Sequence, residues 1–359
     1  MQGAGGGLLA GMSYALIRTT LPRPTWPRAS AVISMMWGAG LLVGPAVGGV
    51  FAELGHWRWA FGAMTAATAV VAPGVRRALP ATPAPPDARD RFPLVSVLLV
   101  GAAAAVLSVS GLARSLIPAA GGLVVALALL GAFVVHERRT EVGVLPRATF
   151  LPGSPLRAVY VTGAVLVGAS AVETFVPLFG QRLAGLAPLV AGFLGTVLAV
   201  GWVVGEVGSA GSRRSSTPRR AVTVGPGLVV GGLVLVAVTQ AADASAFAVG
   251  LWALGLLVAG LGIGMAWPHL AAAAMDAGGP VAGSPDVPGD PMEGDKASAT
   301  VTTVQMLAVA LATSWAGVAT GLGEPDAELA GRLLFAALAA TSLIAVATSP
   351  RARRGIAPG

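Results

Sequence analysis

Eleven apolar runs, each near the roughly 20 residues that carry a helix across the hydrocarbon of a bilayer, divide this chain from end to end. Their approximate bounds are 3 to 19, 30 to 52, 58 to 75, 94 to 112, 116 to 135, 157 to 180, 186 to 208, 221 to 240, 247 to 270, 298 to 322 and 330 to 348. The connections between them are rich in Pro, Gly and Arg, and the longest, 276 to 297, is too short to fold alone. Only 11% of the residues are charged, so no segment supplies the polar surface of a soluble catalytic domain. The sequence therefore specifies an all-α integral membrane protein with about 11 transmembrane helices.

The arginines orient it. Sorted to alternate sides of the eleven spans, 19 Lys and Arg residues fall on one side and 4 (Arg58, Arg114, Arg182 and Arg332) on the other. By the positive-inside rule the richer side is cytoplasmic, which puts the N-terminus outside and the C-terminus in the cytoplasm. The net charge of +7 thus reads as a topology signal, and no nucleic acid is expected as a partner. Trp57 and Trp59, with Arg58 between them, read as interfacial anchors.

Cysteine is absent and the three histidines are scattered, so neither a thiolate site nor a histidine metal cluster is expected. A P-loop needs Gly-x4-Gly-Lys-Ser/Thr, and the only lysine, Lys296, follows Asp295 and precedes Ala297. ATP hydrolysis by that route is excluded, although a permease with a separate nucleotide-binding subunit stays open. No cofactor, metal or enzymatic activity is expected. A channel would want repeated polar or charged rings, and none stands out.

Residues 40 to 49 read GLLVGPAVGG inside the second span. Gly40, Gly44 and Gly48 drift only about 40° per four-residue step, so they form one flat strip where another backbone can approach, and Pro45 invites a bend. Ordinary small-residue helix packing would produce the same strip. With Gly49, this pattern resembles the antiporter motif in the fifth helix of the drug:proton antiporter branches of the major facilitator superfamily. Three further stretches resemble the same family: Gln2-Gly3-x-Gly5 at the start of the first span, GHWRWAF at 55 to 61, and VETFVPLFGQRLAGLAPLVAGF at 172 to 193. The last is similar to the first two helices of the C-terminal half in fourteen-helix actinobacterial members. Ala31 stands where the fuller antiporter pattern has a glycine.

The resemblance implies a major facilitator fold lacking about three helices at the N-terminus. In that frame residues 1-78 are a remnant of the N-terminal helical half, 93-135 two additional central transmembrane helices, and 155-349 the C-terminal six-helix half. It implies a multi-pass carrier of the bacterial cytoplasmic (inner) membrane, driven by protons and exporting drugs or other small hydrophobic molecules by alternating access. A transport-incompetent fragment of such a carrier and an importer of the same superfamily remain alternatives. The oligomeric state is not legible.

Glu173 lies about 10 Å inside its span, where a carboxylate is costly unless protonated or paired. It is a candidate for proton coupling or for recognising a cationic substrate; a vestibule acid or a structural partner of Arg182 are the plainer readings. His269, after Trp267 and Pro268, is a second candidate, with the plain alternative of a lone histidine near a kink. Gln2, Trp37, Phe175, Gln181, Trp267 and Gln305 are cavity candidates. Glu206, near Arg213 and Arg214, reads as a boundary ion pair.

Overall fold

A computed structural model covers the full chain and describes every residue except 1, 54–55, 57, 79–92, 111–115, 141–142, 212–216, 277–290 and 357–359. Among the described residues there is no strand. Each expected span is helical: α1 (Gln2–Thr20), α2 (Trp26–Glu53), α3 (Arg58–Ala78), α4 (Leu94–Ser110), α5 (Leu116–Glu137), α6 (Leu156–Gly168), α7 (Val176–Ala184), α8 (Pro188–Ala210), α9 (Thr217–Thr239), α10 (Ala246–Met275), α11 (Pro291–Gly323) and α12 (Ala327–Ala352). Among the described residues, seven helical segments are long and apolar enough to cross a membrane, and α4 is apolar but shorter.

Two differences from the sequence expectation have physical causes. The sixth span is broken, with a 3-10 turn over Ala169–Thr174 between α6 and α7, and Pro177 follows at the second position of α7, where its missing N–H costs nothing. Several helices also outrun their apolar cores, because backbone bonding continues past the hydrocarbon boundary that hydropathy detects. The start of α12 is fixed by Asp326, whose carboxylate accepts from the N–H groups of Glu328 and Leu329 at 2.9 and 3.1 Å. At the end of α7, Gly185 takes φ 59°, and Leu186 N–H closes back on the Gly180 carbonyl at 3.1 Å. Such a left-handed cap favours glycine.

The chain forms two compact units, residues 1–35 with 93–359, and residues 36–92. The smaller unit holds the C-terminal part of α2 together with α3, in which Trp59 is exposed and Pro73 lies within the helix.

In the larger unit α10 is the central post. Lipid tails are as apolar as leucine, so helices in a bilayer gain little by merely hiding apolar side chains, and close backbone approach takes over. Gly201 and Gly205 of α8 lie against the backbone of α10 at Leu257 and Leu261, while Gly260 and Gly264 of α10 lie against Leu198 and Trp202 of α8. On its other side α10 meets α9, with Gly255 and Gly262 facing Gly232 and Gly225. A methyl group at any of these positions would run into a neighbouring carbonyl. Helix α12 packs on α9, α6 and α11.

Helices α4 and α5 pack on one another and on α11. Ser314 Oγ donates to the Leu107 carbonyl at 3.2 Å. Glu137, buried at the end of α5, accepts from Ser96 Oγ of α4 and from the N–H groups of Val144 and Leu145 at 3.1 and 2.6 Å. Thr300 of α11 donates to the Val144 carbonyl at 2.9 Å, so one carboxylate and one short loop tie three helices together. Arg182 pairs with Glu324 at 2.6 Å, both partly exposed, and no contact between Arg182 and Glu173 is found among the described residues.

The glycine packing yields a direct comparison. Gly264→Ala places a methyl group against the Trp202 carbonyl and within 2.9 Å of the Glu206 nitrogen. It is expected to cost about 1–3 kcal/mol as overpacking, seen as a lowered melting temperature in detergent micelles. Gly208→Ala, where nothing lies within 4 Å, is expected to be neutral or slightly stabilising. Equal melting of the two variants would contradict this account of the α8–α10 contact.

Candidate functional site

The close approach of α8 to α10 sets Trp202 and Glu206 on a shared face, four residues apart. Ser30 and Ser34 of α2 have the same spacing, and the two pairs meet. Glu206 is fully buried, and its carboxyl accepts from Ser30 Oγ at 3.1 Å and from Trp202 Nε1 at 2.9 Å, with the Ser34 hydroxyl as a further donor. Tyr14 of α1 faces the same carboxyl. Its hydroxyl is bonded to Ser30 and accepts from Trp267 Nε1 of α10 at 3.1 Å. The Trp202 and Trp267 rings close the cluster edge to face, with centroids 6.3 Å apart.

Six side chains from α1, α2, α8 and α10 thus form one polar network, and among the described residues no ion pair includes Glu206. Chemically, such a network can hold a proton: hydroxyl and indole dipoles surround an acid that has no counter-ion. At the exposed rim, Arg23, in the link between α1 and α2, pairs with Asp276 at the end of α10 at 3.1 Å. Burial raises the Asp276 pKa above the usual range, while Arg23 and Arg18 act against that shift.

Glu206 therefore bonds inside the bundle, where a surface ion pair was expected; Arg213 and Arg214 lie outside the described residues. Tyr14, Ser30 and Ser34 were not singled out from sequence. The repeated four-residue spacings were the available signal, but only folding shows that positions 176 apart bond to each other.

The sequence candidates scatter. Glu173 sits half-buried on the 3-10 turn between α6 and α7, and makes no hydrogen bond or ion pair among the described residues. His269 is buried with Nε2 unpartnered, seven residues after Gly262, and so shares the stripe of α10 that faces α9. Trp267 faces the network instead. Phe175 packs on the core, Gln305 is half-buried on α11, and Gln181 and Trp37 are exposed. Gln2, Gly44, Pro45, Gly48 and Gly49 are helical, but their surroundings lie outside the described residues; Gly40 has open space where a Cβ would stand.

A separate cavity of about 390 Å³ lies between α5, α6, α11 and α12. Its walls are nearly all apolar, with Leu127, Val165, Ala312, Trp315 and Leu338 among them.

Residues 1–313 match the Major Facilitator Superfamily. The chain belongs to that superfamily. A protein of Mycobacterium tuberculosis named "Probable multidrug-efflux transporter" is 45% identical over 354 residues, which cover 96% of this chain and 73% of that protein. An "Uncharacterized MFS-type transporter" of the same organism is 28% identical over 218 residues, covering 58% of this chain and 31% of its own. "MFS transporter L2" of Phoma sp. is 26% identical over 208 residues, covering 54% and 34%. This chain is accordingly a multi-pass membrane protein of a transporter superfamily that takes small molecules.

Within this superfamily member the Tyr14 hydroxyl is expected to be structural. Tyr14→Phe keeps the ring but leaves the buried Trp267 N–H without an acceptor, an expected loss of about 1–3 kcal/mol. Thermal unfolding followed by tryptophan fluorescence checks it, and an unchanged melting temperature would contradict the hydrogen bond.

Proposed function

We propose that this protein exports drugs or other small hydrophobic molecules in exchange for protons, by rocking two helical groups in alternating access. In this reading it lies in a bacterial cytoplasmic membrane with its arginine-rich connections inside, its N-terminus outside and its C-terminus in the cytoplasm. The name of the 45% identical mycobacterial relative supports efflux. The observation that carries proton coupling is Glu173, an acid within a membrane span, placed where the helix breaks and bonded to nothing among the described residues. An unpaired intramembrane carboxyl is expensive to keep ionised, and a broken helix lets its two halves tilt separately. His269 is the second titratable candidate, and Trp267, Phe175 and Gln305 are the retained candidates for contact with substrate. The strip of Gly40, Gly44, Pro45, Gly48 and Gly49 is assigned close helix packing on the outer side, opening and closing as access alternates.

Purified protein in liposomes, loaded with a fluorescent organic cation and given a proton gradient, tests the reading. The native chain is expected to move the dye against its gradient, and Glu173→Gln to reduce gradient-driven movement by roughly tenfold or more. Full gradient-driven transport by Glu173→Gln would remove Glu173 from the coupling. Dye movement by the native chain only in the inward direction would overturn export.

A further inference from the structure

The network around Glu206 joins the first two helices, α1 and α2, to α8 and α10 much later in the chain. We propose that Glu206 is a proton-carrying latch: with a proton on its carboxyl it holds α2 against α8, and loss of that proton accompanies their separation at the arginine-rich end. The consequence for transport rests on the efflux reading; the latch itself does not.

Three observations support it. First, the carboxyl is fully buried, and its hydrogen-bond partners among the described residues are hydroxyl and indole groups. Second, among the described residues no ion pair includes it: Arg18 of α1 acts on Asp276 at the rim. From α1 it meets the Tyr14 hydroxyl, and α2 offers serines while Arg28 is exposed. From α10 it meets the backbone at Gly264, with His269 on the stripe towards α9. The Arg23–Asp276 pair belongs to the exposed rim. Third, both acceptor contacts across the helix boundary come from one element, α2, through Ser30 and Ser34. Moving that single helix would break them together and open the carboxyl to water.

The proton balance follows. In the closed contact the protonated carboxyl donates to the Ser30 oxygen, whose own hydroxyl proton turns to the Tyr14 oxygen, while the other carboxyl oxygen accepts from Trp202 Nε1. On separation the proton passes to water on the arginine-rich side, and the carboxylate that remains is hydrated. The closed form binds the proton more tightly, because an unpaired carboxylate is costly in the closed bundle and not in water. By linkage, acid favours the closed contact and alkali the open one.

The absence of cysteine makes the test clean. Arg23→Cys with Asp276→Cys reports on the rim of the contact without touching the latch, and a short bis-maleimide in proteoliposomes measures how often the two are close. Comparing chains at the same pH cancels the pH dependence of thiol chemistry. Between about pH 6 and about pH 8.5 the linked fraction in the Glu206 chain is expected to fall roughly fivefold relative to the same chain carrying Glu206→Gln. Glu206→Asp, which keeps a titratable carboxyl, is expected to retain most of that fall, a result a merely structural glutamate would not give. An identical pH response in the Glu206 and Glu206→Gln chains would overturn the latch. Ethidium efflux from the same vesicles separates the two claims: a Glu206-dependent response without efflux sustains the latch and sinks the efflux reading, whereas efflux without that response sinks the latch alone.

Discussion

The backbone-to-backbone approach of α8 and α10 fixes most of what matters in this molecule. Glycines on both helices remove the side chains that would hold the two apart, and Gly264 lies directly against the peptide that runs from Trp202 towards Glu206. With no methyl group between them, the helices come close enough for Trp202 to meet Trp267 edge to face. That placement lets the buried Glu206 carboxyl meet Trp202 of its own helix and Ser30 of α2 together. The acid is thus held in position by packing that carries no polar group of its own.

The same division separates rigid from separable parts. Helices α8, α9 and α10 interlock through small residues, and such contacts have no soft alternative geometry: sliding one helix over another meets carbonyl oxygens within a fraction of an ångström. The link to α1 and α2 is of another kind: besides the apolar burial of Ile17 and Trp26, it holds a few hydrogen bonds to Glu206 and Tyr14 and a partly exposed ion pair at the rim. The exposed pair is worth little by itself and is screened by salt. In the proposed latch, the buried carboxyl and its polar partners add to that apolar contact the part that responds to a proton.

Much of the fold was legible before any coordinates. Apolar runs gave every helix, and the two residues Glu173 and Pro177 fall on the one span that breaks, although hydropathy alone could not show the break because the apolar run continues through it. The sequence draws attention to the glycines of α2, where four-residue spacing and a proline stand out, and the surroundings of Gly44, Gly48 and Gly49 lie outside the described residues. Glycines seen packing include those of α8, α9 and α10, where seven-residue and four-residue spacings mix and the partner must be known before either has meaning. Glu206 was misjudged for a related reason. Near two arginines in sequence, it resembled a boundary residue, and only the fold brings it Ser30 and Ser34 from 176 and 172 positions away. Local spacing reads faces of helices well; it does not say which faces meet.

Glu173 and Glu206 occupy complementary settings for the proton coupling proposed above. The first sits on an irregular 3-10 turn and has no hydrogen-bond or ion-pair partner among the described residues. The second sits on a regular helix clamped by glycines and can change its surroundings only if α2 moves. A proton held at the first position is governed by local geometry, and one held at the second by the relation between two groups of helices. Coupling between chemistry and large-scale movement requires the second kind of dependence, since a ligand shifts a conformational equilibrium only by its difference in affinity between the two conformations. An acid that is buried in one arrangement and wet in the other has that difference built in, and in the proposed latch Glu206 is that acid.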